Sequence, residues 1–343
     1  MSSTPRCSVS FSTTSSAGSE PPAPFLFSHL SMTTTPSAET PPLDLLVRTG
    51  CEISYRANFP APIILSLKPH QGPLQLIETE RLSVSPRQGL QEYQDSQGNV
   101  IHRFKLREGL NTLRYDALVW VPSARENLGG FGPPLPIERL PDHALRYTLP
   151  SRYCDSDKLL DFAFDHFGQI EHGAVRVQAI CDWLHKNIEY RQCSGSPNTS
   201  ASDILAQRYG VCRDFAHTAV ALCRTFNLPA RYVSGYVPDI AYKDSGTPMD
   251  FHAYFEVYLG SGWHVFDARF NVPRIGRIKI AHGLDAVDGA FSTIYGAARW
   301  ERFEVWSYQI DPAGGNASLD VPVDLSKRLC GTENLVIPGA GAA

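Results

Sequence analysis

The sequence predicts an α+β protein in which an antiparallel β-sandwich precedes helices packed on a second antiparallel sheet. Three observations carry that expectation. Residues 45–121 alternate apolar and polar with a period of two, as in "CEISY", "HRFKL" and "LRYDALVW". Beyond about residue 155 the apolar residues recur every three or four positions, as in "KLLDFAFDHF" and "AVRVQAICDWLHKNIEY". Three strand-like runs follow these helical stretches, "ARYVSGYV", "FHAYFEVYLG" and "WHVFDA".

Taken in order, residues 1–42 are rich in Ser, Thr and Pro ("STTSSAGSEPPAP", "SMTTTPSAETPP") and bury too little apolar area to offset ordering entropy. They are expected to be disordered. Residues 43–122 form the sandwich, with turn signals such as "DSQGN" (95–99) between strands. A Pro/Gly-rich connector occupies 123–150, the helix-and-sheet region 151–313, and a loose tail ending "PGAGAA" 314–343.

Composition narrows the function classes. With 343 residues, the chain is long enough for two cores. Its 31 Lys+Arg nearly balance 35 Asp+Glu, for a net charge of −4, and no basic run marks a nucleic-acid partner. No apolar run reaches the roughly 18–20 residues needed to cross a bilayer, and "FLFSHL" (25–30) is too short for a signal h-region. A cytoplasmic location without membrane or nucleic-acid partners is the expectation. The eight cysteines are scattered without a C-x-x-C, which argues for reduced thiols rather than a zinc site.

One cysteine stands apart. In "YGVCRDFAHTAVALCRTFNLPARYVSG" (209–235), Cys212 opens a helical pattern and heads an apolar stripe of Phe215, Ala216, Ala219, Leu222, Cys223 and Phe226. Arg213, Asp214, His217, Thr218 and Arg224 fall on the other side, so His217 is expected at the surface. A thiol in the first helical turn faces free backbone N–H groups and the positive end of the helix dipole, which lowers its expected pKa below about 8.5. Gly210 just before it permits a close approach of other groups.

A nucleophilic thiol needs a base, and the base an orienting acid. His252 begins a strand on the same face as Tyr254, Glu256 and Tyr258; in the next strand, Trp263, Val265 and Asp267 share a face. A two-residue type II′ turn at Gly260-Ser261 would set Leu259 opposite Gly262 and Tyr254 opposite Asp267. His252 and Asp267 would then be diagonal neighbours on one face, about 7–8 Å apart between Cα atoms. A three-residue loop would put them on opposite faces. The competing arrangement pairs Asp267 with Arg269 or Arg231 and leaves His252 to water.

"GVCRDFAHTAVALCRTFNLPARYVSGY" followed by "FHAYFEVYLGSGWHVFDA" closely resembles the transglutaminase-like superfamily of bacterial proteins. The motif match covers 209–268, and a weaker likeness that includes the N-terminal β-domain of bacterial transglutaminase-like proteins extends it to about 45–310. The resemblance implies a papain-like fold with Cys212 as nucleophile, His252 as base and Asp267 as orienter. It further implies acyl transfer through a thioester on a peptide or protein substrate, with water as the favoured acceptor, as in a cysteine peptidase or amidase. An amine acceptor would make the chain a transglutaminase, and a vestigial triad would make it a binding or assembly module. No cofactor or metal is expected, since no dense acidic loop is present. Tyr190 and Gln192 are the weak candidates for a second oxyanion donor, and His282 reads as a loop residue near the cleft.

Overall fold

The computed structural model describes residues 40–126, 129–242, 249–313 and 317–328. The expected disorder of 1–42 and the end of the C-terminal tail therefore fall mostly outside the described residues. The described elements begin with the strands β1 (Leu45–Ala57), β2 (Ala61–Leu65), β3 (Leu76–Ser85), β4 (Gln91–Gln94), β5 (Val100–Leu106) and β6 (Gly109–Val121). Next come α1 (Asp142–Leu145), α2 (Leu160–Phe167), α3 (Ala174–Asn187), β7 (Glu189–Tyr190), α4 (Ala201–Gln207), β8 (Tyr209–Gly210) and α5 (Cys212–Thr225). The chain continues through β9 (Ala230–Tyr236), β10 (His252–Leu259), β11 (Gly262–Phe266), β12 (Ile278–Gly283), α6 (Ala286–Gly289), β13 (Ser292–Ile294) and β14 (Ala298–Gln309).

The first six strands divide between two antiparallel sheets ordered β14-β1-β6-β3 and β13-β2-β5-β4. Each sheet takes an edge strand from the far C-terminal part of the chain. β14 pairs along β1 from Val47 opposite Gln309 to Ala57 opposite Ala298, and β13 pairs with β2. The reason is visible in β1, which is buried at nearly every position and so has to be paired along both edges and covered on both faces. Leu319 continues this packing beside Trp306 and Tyr308, and Arg48 donates to the carbonyl of Val321.

A third antiparallel sheet, β11-β10-β9-β12, carries α5 on one face. Phe215, Ala219, Leu222 and Cys223 of α5 pack with Phe255, Val257 and Leu259 of β10, while α3 and α4 close over the helix from the other side. α5 is thereby a central helix. Every residue from Asp214 to Arg224 is buried, including those read as a solvated face. His217 is 1% exposed, lying between the rings of Tyr153 and Tyr232 and accepting a hydrogen bond at Nε2 from the Ala286 N–H. Arg224 finds its partners in the carbonyls of Leu149, Ala230 and Leu284. Amphipathic spacing identifies one apolar face but is blind to neighbours that satisfy polar side chains on the other.

Candidate active site

Cys212 is the first residue of α5, preceded by a Val211 whose N–H is bound by the Asp214 carboxylate at 2.9 Å. That reach back caps the helix start and fixes where the cysteine emerges. Gly210 makes room for it, since a Cβ there would come within 2.8 Å of the Asp214 side chain. Cys212 itself is half-buried against Ala216, Tyr232 and Ala253, with the Ala253 backbone as a hydrogen-bond partner of its sulfur. Ala253 directly follows His252, so the sulfur abuts the start of β10.

The hairpin behind it has the register expected from the sequence. Leu259 stands opposite Gly262 and Phe255 opposite Phe266, which brings Asp267 to the position facing Tyr254. The turn, however, is not type II′: the positive φ falls on Gly262 (φ 132) and not on Gly260. Gly260 is demanded instead by the connector, because a Cβ on it would lie 2.6 Å from the Pro133 carbonyl oxygen. The Ser261 N–H and hydroxyl donate to the Phe131 carbonyl, tying the connector across the turn.

His252 Nε2 lies 2.8 Å from Asp267 Oδ2, with both side chains buried. The carboxylate is filled: Oδ2 also accepts from Arg277 Nη2 at 3.1 Å, and Oδ1 accepts the backbone N–H groups of Arg269 and Phe270. Burial alone would raise the Asp267 pKa, but His252 and Arg277 overcome it and hold the group well below the usual carboxylate range. An ionised Asp267 is acceptor-only, so Nε2 carries the proton and Nδ1 is left as the basic nitrogen. For His252, burial lowers the pKa and Asp267 offsets only part of the effect, which keeps the ring neutral at neutral pH. Phe270 flanks the imidazole with ring centroids 4.7 Å apart.

The thiol departs from expectation. Burial pushes Cys212 up to about 12, and the carboxylates of Asp250, Asp267 and Asp214 act in the same direction, against the lowering effect of the Ala253 backbone. A helix terminus favours a solvated thiolate, whereas at Cys212 desolvation of the anion dominates. Burial thus favours the neutral form of both the thiol and the imidazole.

The other candidates are distributed as follows. Arg231 pairs with Glu256, and Arg269 contributes only its backbone to Asp267 while its guanidinium lies over Tyr190. Tyr190, in β7, pairs with Gly210 two residues before Cys212, and Gln192 is exposed. His282 is buried in β12 rather than in a loop, since that strand is covered on both sides. Arg277 and its partner Glu126 were not singled out in the sequence; no local pattern connects an arginine outside any strand to an acid in the connector. Cys51, Cys154, Cys181 and Cys223 are buried and Cys193 exposed; Cys7 and Cys330 lie outside the described residues. No helix among the described residues is long and apolar enough to cross a membrane.

Two family models match the chain: the transglutaminase-like superfamily over residues 161–268 and the bacterial transglutaminase-like N-terminal region over 59–121. Among solved structures, the chain is similar to a candidate cysteine protease from Cytophaga hutchinsonii, with 35% identity and a TM-score of 0.72. That alignment covers 78% of this chain and 91% of the other. An uncharacterized protein of Mycobacterium leprae is 31% identical over 117 residues, or 33% of this chain and 42% of that protein. One from Mycobacterium bovis is 27% identical over 182 residues, 50% of this chain and 58% of its own length. The chain thus spans less than two thirds of these mycobacterial relatives.

Proposed function

The chain belongs to the transglutaminase-like superfamily, and on that premise we propose that it is a thiol-dependent acyl-transfer enzyme acting on peptide or amide bonds. Cys212 is the nucleophile, His252 the general base and acid, and Asp267 the residue that orients and stabilises the imidazole. The observation that carries this reading is the buried 2.8 Å His252–Asp267 hydrogen bond at the start of β10, beside the strand residue against which Cys212 packs.

With burial favouring the neutral form of both groups, the thiol proton moves to His252 Nδ1 as the sulfur attacks the substrate carbonyl. Asp267 stabilises the imidazolium so formed through the Nε2–H bond. The carbonyl oxygen becomes an oxyanion, for which the Cys212 backbone N–H, in the first turn of α5, is the candidate donor. Collapse of the tetrahedral adduct breaks the C–N bond, the Nδ1 proton passes to the leaving amine, and a thioester remains on Cys212. Water, deprotonated by the same Nδ1, then attacks the thioester, releasing the acid and restoring the thiol. Hydrolysis is the favoured outcome, in line with the cysteine protease similarity.

A peptide-library assay that scores both cleavage and incorporation of a labelled primary amine tests the proposal. Wild-type protein is expected to cleave, Cys212→Ala to be inactive, and Asp267→Asn to lose about 100- to 10,000-fold while remaining folded. Amine incorporation exceeding cleavage would make it a transferase. Absence of both, with Cys212 inert to electrophiles, would leave a binding or assembly module.

A further inference from the structure

Behind Asp267 lies a second ion pair that the acyl-transfer scheme does not use. Arg277 Nε and Nη2 each sit 2.8 Å from a Glu126 oxygen, and the same Nη2 reaches Asp267 Oδ2 at 3.1 Å. All three side chains are largely buried, Glu126 most accessible at 17%. Glu126 is itself anchored: its carboxylate accepts the Arg274 N–H and its own N–H donates to the Arg274 carbonyl. Arg277 also lies over the Tyr254 ring, 4.2 Å from its centroid, a second restraint on the guanidinium.

We infer that Glu126 and Arg277 are positioning residues for the reaction, forming with Asp267 and His252 a buried relay of alternating charge that sets how readily the imidazole takes up the thiol proton. This inference rests on the roles proposed for Cys212, His252 and Asp267. The physical basis is competition for one oxygen. Asp267 Oδ2 is shared between a permanent cation and a titratable ring. The stronger the pull of Arg277, the less negative charge remains for the imidazolium, and Arg277 also repels that imidazolium directly, as does Arg274, whose own partner is Asp239 at 2.7 Å. Glu126 neutralises part of the arginine charge and so acts on His252 in the opposite sense. Since Glu126 belongs to the connector after the N-terminal strands, basicity at the site depends on a segment distant in sequence.

The two charges make opposite predictions, which a scaffold role would not. The test is the pH profile of iodoacetamide alkylation at Cys212 in the full chain, read by peptide mass spectrometry, for wild type, Arg277→Gln, Arg277→Lys, Glu126→Gln and His252→Ala. Removing the arginine charge should move the acid limb of the profile upward by about one pH unit, and Glu126→Gln should move it downward. Arg277→Lys, which keeps the charge, should remain near wild type in midpoint even where the overall rate falls. Shifts of the same sign, or rate losses with unchanged midpoints, would overturn the inference. Should Arg277→Gln fail to fold, the downward shift in Glu126→Gln decides alone. A wild-type profile indistinguishable from His252→Ala would instead remove the thiol–imidazole reading itself.

Discussion

Two buried carboxylates occupy the same face of the β11-β10-β9-β12 sheet, and they differ in the side chains that bind them directly. Glu256 in β10 is bound by two basic side chains, with Arg231 Nε at 2.6 Å and Lys279 Nζ at 2.6 Å. Asp267, just past β11, has one permanent cation, Arg277, and one titratable partner, His252. Burial would raise both acids, and in both the partners win: Lys279 and Arg231 hold Glu256 at about 2, while His252 and Arg277 hold Asp267 well below the usual carboxylate range. In the first cluster the two cations keep the carboxylate ionised near neutrality. The second keeps a ring whose charge can change, with the carboxylate in place to stabilise that change. Similar burial and similar acids thus serve cross-strand cohesion in one case and suit proton transfer in the other.

The most direct way to break this contrast is to neutralise each acid in turn. Asp267→Asn is expected to slow Cys212 alkylation at neutral pH by about tenfold or more, on top of a stability loss of the kind its twin shows, because a buried carboxylate held below its usual range is removed in both. Glu256→Gln should leave alkylation unchanged but lower stability by about 3–5 kcal/mol, because two buried cations lose their counter-charge. Denaturant titration and alkylation rates on both variants check the pair. Equal effects on both readouts would mean that the two clusters do the same job.

Acid sensitivity sharpens the comparison. The Glu256 pKa is depressed from an ordinary 4.5 to about 2 in the fold, so its stabilisation is fully present above about pH 4.5 and is lost as pH falls toward 2. The expected loss across that window is about 3 kcal/mol. Stability measured between pH 5 and 2 should fall less steeply in Glu256→Gln than in wild type; parallel curves would contradict the assignment.

The smallest effect is expected where the connector crosses the β10–β11 turn. Gly260→Ala forces a Cβ against the Pro133 carbonyl and should cost about 1–3 kcal/mol. Through the connector it should disturb Glu126, and hence the alkylation profile of Cys212, while leaving the Glu256 acid window untouched. Thermal melts and the same pH profile measure both.

Much of the candidate site was legible because it is built on strand parity. Period-two alternation and an even loop were enough to set His252 and Asp267 on one face, although the turn achieving it differs in type. The start of α5 at Cys212 was equally readable from the helical spacing. The solvated face assigned to His217 was not, since a single helix pattern contains nothing about α3, α4 and α6 closing around it.

What the sequence by itself determined is local: which runs form strands and helices, which residues share a face, and which thiol heads a helix. These follow from backbone periodicity, which is a property of neighbouring residues. Only the tertiary structure decided that β13 and β14 complete the N-terminal sheets, that Arg277 and Glu126 stand behind Asp267, and that burial holds the Cys212 thiol protonated. Each of these depends on groups far apart in the chain, and on how much water their meeting excludes. Desolvation and Coulomb attraction act through space, so no window of sequence contains them.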